Sequence, residues 1–575
     1  MWRGKHALGG LLCLGLLLPG TVCAQWPSDA AVDLALADGA VPQQVPHSAA
    51  TADGGCYVGW FANPALGEFQ VYLQRLTPSG EEVFPHGGIL VSDHPTDSWV
   101  MDWDLIVDRD GNAVLAFTDL RSGEFDVQIY KISPGGEFLW GADGISLTEN
   151  ETMSGAPRLA EASDGDLVVV WNEGNSVAAI MMQRLSPAGE LRYAAGGIQV
   201  GGKPGDFAFG PDVVAAEDGH VIVAWIPDSD LDKDRHLAAR KFDAAGLPLW
   251  TPEVSVFDSG NIPIGNLFEL TGDGAGGALL CWTKESNLFF DCHVQHLDAA
   301  GLELWPHDGL NVFPGFAYEV VYPSLNRDPD SGEITVFCRS QTTSQNYWGL
   351  QGQKLSAGGD LLWGDGGRQL MPIDDTYEAE PHGVVLPSGD AVVLFLQHAP
   401  LAYRQKQVRA LRLDGAGNFV WPTGTVTVAS TLSDKLDLLA CPGQGGAITA
   451  VWQDNRSDAG DILGKSLNPD GTLGDGVTPV VPSLGIALSG GHPNPFNPRT
   501  EIAFTLDRAR DVRLAVHDLR GRQLASLAVG TFGPGEHRVC WDGIADGGRA
   551  LPSGQYMVRL SGSGFARTVK LTLAK

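Results

Sequence analysis

Short runs in which apolar and β-branched residues gather between Gly and Pro fill the chain from about residue 26 to 474. Runs such as Asp166–Trp171 and Ala178–Leu185 have strand length, and no stretch carries a helical period. Asp-Gly pairs at 53–54, 110–111, 164–165 and 218–219 mark two-residue hairpin turns, where a positive φ is needed. The runs recur as eight copies of one unit: strand, Gly turn, strand ending in an aromatic, long loop, strand, Gly turn, aromatic, short strand. The first aromatic falls at Trp60, Phe117, Trp171, Trp225, Trp282, Phe337, Phe395 and Trp452. The second Gly falls at Gly80, Gly136, Gly189, Gly246, Gly301, Gly359, Gly417 and Gly471, a step of about 56 residues.

An aromatic follows that Gly by four in seven copies: Phe84, Trp140, Tyr193, Trp250, Trp305, Trp363 and Trp421. The eighth copy lacks one, and the missing piece stands at the other end of the chain. Trp26-Pro-Ser-Asp matches Trp305-Pro-His-Asp. Four short strands per copy and eight copies predict an all-β, eight-bladed β-propeller closed by an N-terminal strand. The alternative, an open solenoid, needs capping ends, whereas this offset phasing closes a ring and leaves no exposed sheet edge. The units lack the Trp-Asp blade ending, the kelch Gly pair and the Asp box, so they fit no named propeller family. The recurrent second-strand aromatic reads as core between blades.

At 575 residues the chain exceeds one hydrophobic core. Residues 1–24 read as a secretory signal: Arg3 and Lys5, an apolar run from Ala7 to Leu18, then Val22-Cys23-Ala24. No later apolar stretch is long enough for a transmembrane helix. The domains expected are this signal, a propeller over 25–475, a linker over 476–490, and a small sandwich over 491–575. Formal charge is −31, placed unevenly: residues 486–575 hold 12 Lys or Arg against 7 Asp or Glu, which leaves −38 on residues 25–485. Such a field repels phosphate backbones, so nucleic acid is excluded as a partner. Six cysteines follow the signal and none forms CxxC; Cys281 and Cys292 flank a predicted hairpin loop and are the disulfide candidates.

If strands alternate up and down, the short Gly turns share one face and the long variable loops share the other. The long segments carry Trp99, Trp103, Phe207, Phe209, Phe316, Tyr318 and Tyr377, near carboxylates. Aromatic faces beside carboxylates suit sugar rings or cationic peptides, and these seven residues are the ligand-face candidates; the alternative is that they pack between loops.

Other constellations carry less. Asp119-Leu-Arg121 followed by Asp126 recurs as Asp454-Asn-Arg456 followed by Asp461, and recurrence favours a structural brace. Asp228, Asp230 and Asp232 alternate as in Ca²⁺ loops but lack the Gly and Glu that complete one. No cofactor is expected, with Ca²⁺ at these residues the one metal weighed. There is no HExxH, nucleophile elbow, P-loop or dinucleotide fingerprint, and no carboxylate pair stands out as catalytic.

From Ile486 the composition changes. His492-Pro-Asn-Pro-Phe-Asn-Pro498 leads into alternating strands, a Gly521 turn, Trp541-Asp542-Gly543, Leu551-Pro-Ser-Gly554-Gln-Tyr556, and a basic tail with Lys570. These features resemble the C-terminal sorting domain of type IX secretion cargo, which is similar to the Ig-like domain of flagellar hook-capping proteins. The resemblance covers about the last 90 residues. It implies an Ig-like fold, outer-membrane secretion machinery as partner, and a bacterial cell-surface or extracellular address. It also implies that Pro493, Asn494, Pro495, Phe496, Gly521, Trp541, Asp542, Gly543, Gly554, Tyr556 and Lys570 are recognition or fold residues. The function expected is an exported, non-enzymatic propeller that binds a glycan or a surface protein. The alternatives are a secreted propeller glycoside hydrolase or polysaccharide lyase, and a structural surface-layer component.

Overall fold

The computed structural model describes residues 26–474, 487–488 and 494–575, less loop segments 66–67, 95, 97–101, 149–151, 175–177, 203–206, 229–234, 264, 266–267, 287–288, 399, 401, 458–459, 507–509, 519, 533–534 and 563–564. Contacts divide the chain into two units, Met1–Asp475 and Gly476–Lys575.

The first unit is a ring of eight four-stranded antiparallel sheets. Blade 1 comprises Gln43–Ala50, Cys56–Ala65, Glu68–Leu76 and Ile89–Ser92. Blades 2 to 7 repeat that order over residues 104–146, 154–201, 207–257, 269–311, 319–374 and 377–433. Blade 8 supplies Lys435–Pro442, Ile448–Asp454 and Asp461–Leu467, and takes its outermost strand from Leu34–Ala37 near the other end of the chain. Leu34 faces Gly464 and Ala35 faces Leu463 across that seam. The first strand of every blade touches the first strand of the next, blade 8 back to blade 1, so the circle is complete. These first strands enclose the channel.

One contact explains the period of the repeat. Each outer aromatic seats on the turn glycine of the following blade: Phe84 on Gly136, Trp140 on Gly189, and so on to Trp421 on Gly471. Trp26 supplies the eighth, on Gly80, where φ is +84° and a Cβ would lie 2.9 Å from the indole. Only glycine fits that backbone and that approach. The Trp26 indole N–H also donates to Pro78 O at 3.0 Å, as Trp250 does to Ala299 O at 3.1 Å and Trp421 to Pro469 O at 3.0 Å.

The second-strand aromatics are buried between blades as expected, with one correction. In blade 6, Ser324 faces Phe337 as His47 faces Gly59 in blade 1. Cys338 therefore holds the place of Trp60, and Phe337 points to the other side of the sheet. Arg121 braces its loop through Asp119, at 3.0 and 2.7 Å, but not through Asp126, which accepts from Thr148 Oγ1 at 2.8 Å.

The second unit packs a three-stranded sheet (Ala487–Leu488, Thr500–Leu506, Gly535–Trp541) and a four-stranded one (Gln523–Phe532, Arg510–His517, Gly554–Gly562, Phe565–Leu573) around one core. Phe496, Trp541 and Tyr556 form that core's aromatic stack, with centroids 5.3 and 5.5 Å apart. Among the described residues no helix is long and apolar enough to cross a membrane.

Candidate functional site

The channel is shaped by a defect in the first strands. Blades 1, 3, 4, 6, 7 and 8 lose register there, between Gln44 and His47 in blade 1 and between Val321 and Ser324 in blade 6, for example. Where the bulge begins, Val45, Ala156, Gly210, Tyr322 and Asp437 have φ of 50–58°. A proline often follows, as at Pro46, Pro157, Pro211 and Pro323, because a bulge leaves an N–H without a ladder partner and proline has none to lose. The residue after that turns into the channel.

The inward residues at this position are His47, Arg158, Asp212, Ser324, His382 and Leu439, and their second-strand partners align Asp104 and Glu269 with them in blades 2 and 5, where the first strand keeps its register. Three of them stitch neighbouring blades. Asp104 accepts Leu159 N–H at 2.8 Å, Glu269 accepts Leu325 N–H at 2.5 Å, and Ser324 Oγ accepts Gly383 N–H at 3.0 Å. Most are half-buried, and burial shifts the acids and histidines among them toward their neutral forms, whereas Asp102, Asp104 and Asp212 hold Arg158 charged. Burial pushes the Asp212 carboxyl up to about 7 against the pull of Arg158. Burial also lifts Glu269 to about 7 and drops His382 to about 4. His47 is held down to about 3 by burial and then by Arg158.

Above the inward residues of blades 5 to 7 the mouth opens into a cavity of about 480 Å³. Phe268 and Glu269 form one wall, Tyr322 and Arg339 a second, and Tyr377 and His382 a third. The Arg339 guanidinium carbon lies 4.6 Å from the Tyr322 ring centre and 5.4 Å from that of Tyr377. Its Nη1 donates to the Tyr377 phenol oxygen at 2.6 Å and its Nη2 to Gln341 Oε1 at 2.9 Å. Its Nε is buried without a partner. Aromatics continue outward: Trp348 meets Tyr377 edge-on at 5.0 Å, His398 stacks on Tyr377 at 5.0 Å, and Tyr403 meets His398 at 5.0 Å. Tyr322 is 43% and Tyr403 56% exposed, whereas His398 between Tyr377 and Tyr403 is buried, so the row of aromatics opens to solvent at its two ends.

Of the aromatics expected on this face, Tyr377 lines the cavity. Phe316 and Tyr318 pack together at 5.6 Å ahead of the first strand of blade 6, and Tyr318 is exposed. Phe207 and Phe209 pair at 5.8 Å at the start of blade 4. Trp99 lies outside the described residues. Trp103 is a correction: it is fully buried, edge-on to Phe61 at 5.5 Å, with its N–H on Val45 O at 3.1 Å. It occupies the buried position that Pro46 and Pro157 hold in their blades, which points between blades and not to the rim. Arg339, Tyr322, Glu269 and His382 were not read from the sequence. Aligning the repeats on the bulge would have exposed the last two, because their positions recur at the same step.

Cys281 and Cys292 are buried thiols 3.5 Å apart at sulfur, in contact but not joined, and Cys338 lies in the same core cluster. Asp228 is buried at the end of a strand, and Asp230 and Asp232 lie outside the described residues. Asp258, His307 and Asp308 bring ligand atoms within 4.8 Å of one another. His307 already bridges Glu303 at 3.0 Å and Asp258 at 3.2 Å, so the group reads as a clasp between blades. In the C-terminal unit Phe496, Trp541 and Tyr556 are core, and Gly521 and Gly543 hold positive-φ turns. Asn494, Pro495, Asp542 and Lys570 stay exposed, Asn494 bonding Thr572 N–H at 2.8 Å; Gly554 is half-buried, and Pro493 lies outside the described residues.

The FlgD Ig-like domain family matches residues 496–564, and the C-terminal region carries an Ig-like domain. No curated protein matches the chain in sequence. Among solved structures, an ulvan lyase of the polysaccharide lyases is similar at 10% identity and a TM-score of 0.44, over 79% of this chain and 98% of that one. An α-L-arabinanase of Penicillium chrysogenum is similar at 11% and 0.29, over 55% and 94%. A protein of unknown function from Dyadobacter fermentans is similar at 12% and 0.33, over 55% and 94%. Identities and scores this low carry no argument about substrate or reaction.

Proposed function

We propose that this protein is an exported propeller that binds a glycan at the channel mouth over blades 5–7. The observation that carries this reading is the 480 Å³ cavity walled by Phe268, Tyr322 and Tyr377 around one oriented guanidinium. Aromatic faces pack the C–H faces of sugar rings, while a few placed polar groups set orientation. Tyr403, exposed beyond the buried His398, offers a further aromatic face for a longer chain. The C-terminal Ig-like unit is the export address in this proposal, with Asn494, Pro495, Asp542 and Lys570 as its surface features, and outer-membrane machinery as its reader. Glycan-array binding of the full chain tests the function. Tyr322→Ala and Tyr377→Ala are expected to remove saturable binding while the thermal transition stays in place; binding unchanged in both variants would reject this site. Deleting residues 486–575 should hold the protein in the periplasm, and normal surface display of that truncation would reject the export address.

One observation favours a second reading. Arg339 Nη1 donates to the Tyr377 phenol oxygen at 2.6 Å, so a tyrosine hydroxyl and a cation meet on the cavity wall, a pairing suited to moving a proton of a sugar ring. That suits a lyase better than a hydrolase, which needs two carboxyls on one cavity; Glu269 is the one carboxyl on this wall among the described residues. New unsaturated sugar ends after incubation with a polysaccharide panel would make the site catalytic, and their absence with binding intact would leave it a receptor.

A further inference from the structure

The glycan's charge can be read from how Arg339 is held, an argument that rests on the glycan reading above. Several partly buried arginines of the ring are neutralised by carboxylates: Arg121 by Asp119 at 2.7 Å, Arg158 by Asp102 at 2.9 Å, and Arg456 by Asp454 at 2.6 Å. Arg409 in blade 7 is held instead by Gln397 and Thr425, but it does not line the cavity. Arg339 lines the cavity and is held in the same neutral way. Its hydrogen-bond partners, Tyr377 and Gln341, are both neutral, and its Nε has none. Among the described residues no carboxylate forms an ion pair with it. A guanidinium keeps its charge at every physiological pH, so among the described residues the cavity wall holds a positive charge that no carboxylate touches, Glu319 reaching it only through Gln341.

The rest of that wall does not cancel it. Burial holds His382 neutral, and lifts Glu269 to about 7, so that carboxyl is largely protonated below neutrality. The cavity is thus a positive spot on a ring that otherwise carries −38. Tyr322 lies against the guanidinium at 4.6 Å while the Tyr377 phenol oxygen holds its Nη1 at 2.6 Å, which orients it, and a planar fork matches an anion with two or three equivalent oxygens. We infer that the glycan is acidic, with a carboxylate or sulfate on its sugar ring seated against Arg339 while the ring lies along Tyr322 and Tyr377. The negative field around the mouth makes this selective. An anionic chain gains at one place and is repelled elsewhere, which favours charge carried on a sugar that also stacks over charge alone.

The test is calorimetric titration of the full chain at fixed ionic strength with polygalacturonate, its carboxyl-reduced neutral counterpart, a sulfated galactan and polyglutamate. The inference expects one or both acidic polysaccharides to bind at least roughly tenfold more tightly than the neutral one. It expects Arg339→Gln to erase that preference and Arg339→Lys to restore part of it. The two acidic polymers separate carboxylate from sulfate as the recognised group. Binding to the acidic polysaccharides should also weaken as pH rises through 7, where Glu269 ionises, and Glu269→Gln should flatten that profile. The groups facing Glu269 are Asp212 from blade 4, Leu325 N–H from blade 6 and the thiols of Cys281, Cys292 and Cys338; Arg339 and His382 share its cavity. Neutral galactan binding as tightly as the acidic chains, or Arg339→Gln leaving affinity unchanged, would overturn the inference and leave the glycan reading standing. Equal, Arg339-dependent binding of polyglutamate would overturn it by showing a site for bare anions. If no polysaccharide binds at all, the glycan reading itself fails.

Discussion

The seam where blade 8 meets the N-terminal strand and the mouth over blades 5–7 are built from the same repeat but treat charge in opposite ways. At the seam, buried Asp33 lies 2.6 Å from Arg456 and 3.7 Å from Lys465, and Lys435 pairs with Asp454 at 3.0 Å, both fully buried. Lys465 Nζ also donates to Asp29 O at 2.8 Å. Trp26 completes the aromatic circle above them. At the mouth, Arg339 faces neutral partners and an open cavity, and Tyr322 holds a positive φ of 53° with its ring toward solvent. The seam uses its charges to close the ring, whereas the mouth, among the described residues, keeps one clear of any carboxylate beside exposed aromatic rings; the positive φ is common to both, since Asp437 in blade 8 has φ of 50°. Charge left without a counter-ion persists where the surrounding fold over-determines it, and clusters where ligands bind.

The largest way to break this contrast is at the seam. Removing residues 26–37 should leave blade 8 with an open edge and abolish a cooperative thermal transition, as followed by circular dichroism. Asp33→Ala leaves the buried Lys465 without a carboxylate and takes one of two from Arg456, and should cost about 3 kcal/mol in urea unfolding; a loss near zero would mean the seam is not held by these pairs. Trp26→Ala should cost ~3 kcal/mol, the same as Trp250→Ala within about 1 kcal/mol, because both indoles seat on a glycine of the next blade. A much smaller loss at Trp26 would show the tail to be a loose eighth.

The next effect is pH dependence, with the two regions moving in opposite senses. Charge pairing at the seam holds Asp454 down to about 2, although burial alone would raise it. The stability it contributes is full above the unfolded carboxylate range near ~4 and is lost as pH falls toward 2. Asp212, Glu269 and Glu378 are lifted to about 7 chiefly by burial, so the folded state binds more protons than the unfolded one between ~4 and 7. Stability therefore declines as pH rises across that window and levels off above it. Urea midpoints measured from pH 3 to 9 check both limbs, and Asp212→Asn should flatten the upper one. The smallest effect is at the rim: Tyr322→Gly relieves a positive φ and should change stability by no more than about 1 kcal/mol, in the stabilising direction, while removing ligand binding.

The ring was legible in the sequence to a degree that the site was not, and the difference is physical. The clasp between blades needs a glycine and an aromatic at fixed spacing in every copy, so Trp26 announced itself as the partner missing after Gly471. The site depends on which way single side chains turn at a bulge, and composition does not show that. Trp103 reads as a loop aromatic but sits at the buried bulge position, where Pro46 stands in blade 1. Arg339 looks like any strand arginine until Tyr322, more than a dozen residues earlier, is folded across its face. In blade 6 Phe337 does fill inter-blade core, but against blade 7, while Cys338 takes the place facing blade 5 that the aromatic holds in other blades. In the C-terminal unit, Phe496, Trp541 and Tyr556 stood out in the sequence because they make the core, while the proposed export signal would lie in exposed residues that any small sandwich could carry.

The account rests most on where the ligand sits. The direct measurement is a crystal structure of the full chain soaked with an acidic oligosaccharide. The account predicts a sugar ring along Tyr322 and Tyr377 with its anionic group on the Arg339 guanidinium. Sugar bound on the short-turn face or at the outer edge of the blades, with this cavity empty, would contradict it.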